Sequence, residues 1–278
     1  MAGRNAEPVA VVTASAGAGL ELAGFKLIFK SDSPGIINVL GRRYAPFSCN
    51  ARSGLKIDAL PGPARVSPFK PAVSFGGGFF RAARGDFKAG LRLASGRGRL
   101  TAAPNEQCLD AFLRSLLSAL LLRSGGLMLH SAGLAVGGRA YLFPGRSGAG
   151  KSTLAKLAAA SGRRGVEVIS DEINMVLPGR GGWRAHGSPF WGEMRAGGRR
   201  ASWPLGGVFF PQKAEANSVK ACPPAEAFRR LMRCVVNFSA EPEACGAALG
   251  AAAGLLASAP ARRLAFSKRD ASFLELIR

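Results

Sequence analysis

The sequence predicts a mixed α/β protein, α+β in arrangement, with a β-rich N-terminal lobe followed by a lobe built around a phosphate-binding loop. Three observations predict it. Residues 145–152 fit the pattern G-x-x-x-x-G-K-[ST], between an apolar run at 140–143 and the helix-forming stretch 153–160. Up to about residue 100, short apolar runs are punctuated by Gly, Asp, Ser and Pro, as strands and turns are. Residues 104–123 then carry Leu109, Phe112, Leu113, Leu116, Leu117, Leu120 and Leu121 at helical spacing. The expected organisation is a flexible tail over 1–7, the β-rich lobe over 8–103 and the P-loop lobe over 104–278.

In the first lobe, strands are expected over 8–13, 25–29 and 35–40, and the pattern continues through 69–80 and 91–100. Gly76-Gly77-Gly78 reads as a flexible turn. The helix over 104–123 has Asn105 as a candidate cap, Glu106 and Asp110 early, where the helix dipole favours acids, and Gly125-Gly126 as its stop. Two apolar runs joined by Gly137-Gly138 then predict a hairpin, which brings His130 near the phosphate loop.

The loop carries the chemistry. Its glycines let successive backbone N–H groups turn toward phosphate oxygens, and the following helix adds the positive end of its dipole. Gly145, Arg146, Ser147, Gly148, Ala149, Gly150, Lys151, Ser152 and Thr153 are therefore candidate ATP contacts. Lys151 can reach the terminal phosphates and the Ser152 hydroxyl can ligate Mg²⁺. The strand expected at 166–170 ends in Asp171-Glu172, acids placed to hold Mg²⁺ or to orient an attacking group. A surface turn with two acids is the plainer alternative.

Residues 177–204, rich in Gly, Arg and Trp, read as a loop over the site. Within it Glu193 is either a metal or substrate ligand or a member of an ordinary ion pair. His186 reads as a loop hydrogen-bonder. A strand at 207–210, a basic amphipathic helix at 224–236, an Ala-rich helix at 244–257 and short runs at 264–266 and 273–277 complete the chain.

Composition narrows the classes. The chain has 38 Lys+Arg against 17 Asp+Glu, a net charge of +21 spread in short Arg clusters. That charge fits either a solvated surface or a docking face for an acidic partner. Five cysteines without C-x-x-C spacing and only two histidines exclude a zinc pattern and suit reduced thiols. No secretory signal or bilayer-spanning run is evident, so a cytoplasmic protein is expected.

His130 with its apolar strand, the loop 145–153, the run Val168-Ile169-Ser170-Asp171-Glu172 and the segment 187–193 together resemble HPr kinase/phosphorylase and its smaller relatives. The resemblance covers roughly 105–240 and implies a phosphoenolpyruvate carboxykinase-like P-loop fold. It implies that His130 lies near the transferred phosphoryl group, that Lys151 contacts the phosphates and that Ser152 ligates Mg²⁺. It further implies Glu172 as the catalytic carboxylate, with Asp171 its metal-binding partner, and Glu193 as a second metal acid. The chain departs from the bifunctional enzymes in having Asp171-Glu172 for Asp-Asp and Thr153 for an acid, so the forward kinase reaction is implied rather than phosphorolysis.

The expected activity is ATP-dependent transfer of the γ-phosphoryl group to a hydroxyl, a serine of a peptide or protein, with Arg195, Arg199 and Arg200 available to dock an acidic acceptor. The alternatives are a nucleotide-binding regulatory protein acting on an acidic partner, without transfer chemistry, and a nucleic-acid-linked ATPase, for which no module is present. A membrane partner is not expected, and a homo-oligomer is compatible with the sequence.

Overall fold

The computed structural model describes residues 16–65, 68–195 and 197–277. The tail expected over 1–7 and the strand expected over 8–13 lie outside these. Among the described residues the architecture is mixed α/β, with two mixed sheets and five α-helices.

The first sheet contains β1 (Ala16–Leu22), β2 (Phe25–Ser31), β3 (Leu55–Pro61), β4 (Ala72–Gly76), β5 (Phe79–Arg84), β6 (Phe87–Arg92) and β7 (Arg97–Ala102), in the order β1-β2-β3-β7-β6-β5-β4. Its strands alternate as a half-buried sheet requires. Leu27, Phe29, Ile57, Phe80 and Leu91 face the core, while Lys30, Lys56, Arg81, Lys88, Arg92 and Arg99 face out. A group of basic side chains therefore stands on one face of this sheet. The Gly76–Gly78 turn is a tight hairpin in which Gly77 and Gly78 adopt φ of +56° and +77°.

The strand expected at 35–40 is instead part of a helix, α1 (Pro34–Arg43). Pro34 sits in its first turn, where its fixed φ suits a helix and its missing N–H costs nothing. Ile36, Val39 and Leu40 recur at helical spacing and bury one face. The apolar residues of this run thus follow a helical period and not the alternation of a strand.

Helix α2 (Glu106–Arg123) matches its expectation, including the cap: Asn105 Oδ1 accepts the Cys108 N–H at 2.9 Å. It is the spine between the sheets, packing on β5 and β6 and also on strands of the second sheet. Phe112 meets Phe29 and Phe87 edge-on, and the core that they share runs continuously into the second sheet.

The second sheet is built on two long strands, β8 (Leu127–Val136) and β13 (Ser202–Lys213). They are joined on one route by β9 (Arg139–Pro144), which closes the expected hairpin on Gly137-Gly138. On the other route β11 (Ile173–Gly179) and β12 (Gly182–His186) link them. β10 (Val166–Ser170) pairs with β8, and β14 (Ser218–Ala221) and β15 (Ala261–Phe266) extend the far side. Helix α3 (Lys151–Ala160) covers β8 and β10, while α4 (Pro224–Met232) and α5 (Pro242–Ser258) pack together, α5 also against α2. Part of the 177–204 loop expectation is overturned, since Trp183, His186 and Trp203 lie on β12 and β13. Local composition concealed these strands because pairing partners, rather than propensity, make them.

Candidate active site

The site forms where one strand is broken. β10 and β11 both pair antiparallel with β8, with Ser170 opposite Gly133 and Ile173 opposite His130. Asp171-Glu172 interrupts this otherwise continuous run, next to a register slip between Val168 and Ser170. The amides freed by the break are satisfied locally. Ser170 Oγ accepts the N–H groups of Glu172 and Ile173, both at 3.1 Å, and donates to the Phe190 carbonyl at 2.8 Å. Ser131 N–H donates to the Glu172 carbonyl at 3.0 Å, tying the acid pair to the strand of His130. Gly133 has to be glycine here, because a Cβ would lie 2.1 Å from Asn174 Oδ1.

The two acids have different surroundings. Asp171 is only 2% exposed, and its carboxylate accepts the N–H of Gly192 at 2.8 Å and of Met194 at 3.0 Å. It thereby holds the 187–194 segment against the site. Glu172 reaches into the cleft and receives a bidentate clamp from Arg114 of α2, at 3.1 and 2.8 Å. Arg114 in turn lies over the buried Phe190 ring, 5.0 Å from its centroid.

The 187–194 segment is a packed wall rather than a loose cover. A Cβ on Gly187 would meet the Arg199 carbonyl oxygen at 1.8 Å, and Arg43 of α1 stacks 3.4 Å from the Trp191 ring centroid.

Between β9 and α3 the phosphate loop turns on Gly148 and Gly150, whose φ values are +83° and +94°. At Gly150 a Cβ would also stand 2.6 Å from the Phe266 ring. Lys151 is 7% exposed and donates from Nζ to the Arg146 carbonyl at 3.1 Å. Burial lowers its pKa below the ordinary value, against the opposing pull of Cys234, Glu172 and Glu193.

His130, Ser147, Gly148, Gly150, Lys151, Ser152, Thr153, Asp171, Glu172 and Glu193 line one cleft of about 310 Å³, with Gly192 and Lys213. The structure thus brings together residues that are widely separated in the chain. Gly145, Arg146 and Ala149 instead line an adjoining cleft. His186 is on β12, outside the cleft. Glu193 pairs with Lys156 at 2.9 Å, both ends largely exposed, on the rim of the same cleft. Arg199 and Arg200, offered as docking residues, are paired with Glu167 and Glu21.

Sequence reasoning missed Arg114 and Lys213. Arg114 left a trace as a charge amid the leucines of α2, whereas nothing local distinguishes Lys213.

The imidazole of His130 is held below its ordinary pKa of 6.5 by burial first, then by Lys151 and Arg114, with Glu172 opposing. His186 is lowered from the same value by burial and Arg184. As pH falls below about 6.5 the unfolded chain therefore takes up these protons before the folded one. With more protons bound when unfolded, stability rises with pH across this window and is lost on acidification. Melting temperatures between pH 7.5 and 5.5 should fall on acidification, and by less in a His130→Gln/His186→Gln variant. An equal fall in both proteins would remove the histidines from the account.

Residues 111–241 match the family model described as SynChlorMet cassette protein ScmC. The match spans just under half of the chain. No curated protein matches it. This corrects the HPr kinase/phosphorylase resemblance, because the family whose model matches is ScmC and not an HPr kinase family. The physical reason is that a glycine loop, a strand-borne acid pair and a nearby histidine are what phosphate binding demands in general. Such features report a site rather than a lineage.

The residues present fit a nucleotide and a hard cation. Loop amides, Lys151 and Lys213 offer donors and positive charge to phosphates, and Ser152 and Glu193 offer oxygen ligands on the same cleft. Among the described residues no group of three or more His, Cys, Asp or Glu could hold a metal without such help. Among them, too, no helix is long and apolar enough to cross a membrane.

Proposed function

We propose that the chain is an ATP-dependent phosphotransferase that moves the γ-phosphoryl group to a hydroxyl, a serine of a peptide or protein. The observation that carries the proposal is that the half-buried Glu172 lines the same cleft as Lys151 and Ser152. A carboxylate facing a phosphate loop is the minimum that transfer to a hydroxyl needs beyond positioning and charge. The finer assignment, a phosphoenolpyruvate carboxykinase-like P-loop fold, is supported by the β9–loop–α3 unit beside the broken β10–β11 strand.

In this reading the loop amides and Lys151 hold the terminal phosphates of ATP. Glu172 orients the acceptor hydroxyl and takes its proton as the oxygen bonds to phosphorus and ADP leaves. Arg114 holds Glu172 aimed until the acceptor arrives. His130, neutral near pH 7, donates a hydrogen bond to a phosphoryl oxygen instead of adding a charge. Asp171 positions the 187–194 wall. Ser152, Glu193 and Asp171, which line this cleft, would hold Mg²⁺, which would supply neutralisation of phosphate charge.

The test is incubation with ATP and candidate acceptors, followed by mass spectrometry. The matched family is described as a cassette protein, so products of neighbouring genes are the acceptors to try first. The expected result is a single phosphate increment on a serine-containing acceptor. Tight ATP binding with no increment on any acceptor would replace this reading with the regulatory one, a nucleotide-binding protein acting on an acidic partner.

A further inference from the structure

On the other side of the phosphate loop lies a cleft of about 430 Å³. One wall is the loop itself, with Gly145, Arg146 and Ala149. The opposite wall is the basic side of α4 and the turn after it, with Arg229, Arg230 and Arg233. Helix α4 is amphipathic: Ala227 and Leu231 are buried, which turns the arginines out. The floor, Phe210 and Pro211, is largely apolar, and Arg230 lies 5.9 Å from the Phe210 ring centroid.

The charge in this cleft is not neutralised internally. Glu226 is its one carboxylate, and it is engaged by Arg230 and by Arg263. Among the described residues Arg146, Arg229 and Arg233 have no carboxylate partner and are exposed. Of the other arginines near the site, Arg114 is spent on Glu172, Arg199 on Glu167 and Arg200 on Glu21, while Arg195 is exposed and lines neither cleft.

The cleft also adjoins the reaction centre. Arg146, which lines it, supplies the carbonyl that receives Lys151 Nζ. Cys234, which also lines it, accepts the His130 backbone N–H at 2.7 Å.

We infer that this cleft is the docking site for an acidic segment of the acceptor, with aspartate or glutamate side chains on Arg146, Arg229 and Arg233. The partner is recognised by charge, and the apolar floor receives its stem. The inference deepens the phosphotransferase reading and rests on it for the word acceptor, but docking itself is measured without transfer.

The probe is a short fluorescein-labelled peptide of Asp and Glu around one serine, titrated by anisotropy against the whole chain. ATP binding is measured separately by calorimetry. Charge reversal in an Arg229→Glu/Arg233→Glu variant should weaken peptide binding by at least about tenfold. ATP affinity should stay unchanged, and the Arg229→Lys/Arg233→Lys variant should retain most of the peptide affinity. Matching melting curves show that the reversed variant is folded. No peptide binding by the wild type, or equal binding by the reversed variant, would overturn the inference. So would a parallel loss of ATP affinity, which would assign the cleft to the nucleotide. Tighter binding of a single-stranded oligonucleotide of equal charge would also overturn it. Peptide that docks through these arginines but gains no phosphate supports the docking site and removes the phosphotransferase reading instead.

Discussion

Replacing Glu172 by Gln should lower phosphoryl transfer by about a hundred- to ten-thousand-fold, the range that a positioned general base supplies, while ATP still binds. The substitution keeps the volume and one acceptor oxygen, so the Arg114 guanidinium retains a hydrogen bond where it now has a bidentate ion pair. The pair is partly solvent-exposed, so its loss should cost stability only about 1 kcal/mol. The phosphate-loop residues that line the cleft are untouched by the substitution. A γ-³²P transfer assay beside an equilibrium ATP titration separates the two effects. Turnover at the wild-type rate would take Glu172 out of the chemistry and leave the cleft a nucleotide site only.

Replacing Lys151 by Ala should weaken both steps. Transfer should fall by about a hundred- to thousand-fold, as it does when one charged or donor group facing a transition state is removed. Unlike the Glu172 change, it should also raise the Kd for ATP, since in the proposed mechanism the ammonium meets the phosphates before the reaction as well as during it. In the structure that ammonium is nearly buried and rests on the Arg146 carbonyl, folded back on its own loop. Phosphates arriving there would replace the carbonyl as its partner, and their negative charge would offset the burial that lowers its pKa. Lys151→Met, which keeps the stem packed, separates the charge from the packing. Unaltered ATP affinity in both variants would mean that the loop binds phosphate through its amides alone.

Both predictions depend on residues that were legible from the chain, and the reason is physical. The phosphate loop is local: its glycines, lysine and serine lie within one turn, and the left-handed geometry at Gly148 and Gly150 is a property of those positions. The hairpin at Gly137-Gly138, the capped α2 and the acid pair after β10 are equally local features. By contrast, α1 differs from the expected strand because a short apolar run supports either period until its Pro start and i, i+3, i+4 spacing are weighed together. β12 was missed because its strand state comes from β11 and β13. The family resemblance failed for a related reason, because the residues that carried it are those that any phosphate site selects.

What the sequence by itself determined, then, is the glycine loop with its lysine and serine, the hairpin before it and the acid pair after β10, because each depends on residues within a few positions of one another. Only the tertiary structure decided how those groups divide their work. It set Asp171 on the amides of 192 and 194, Glu172 under the Arg114 clamp, Arg199 and Arg200 in ion pairs, and Arg146, Arg229 and Arg233 together in one cleft without carboxylate partners. Those assignments depend on which side chains from distant segments come within hydrogen-bonding distance, and chain packing sets that distance where sequence separation does not.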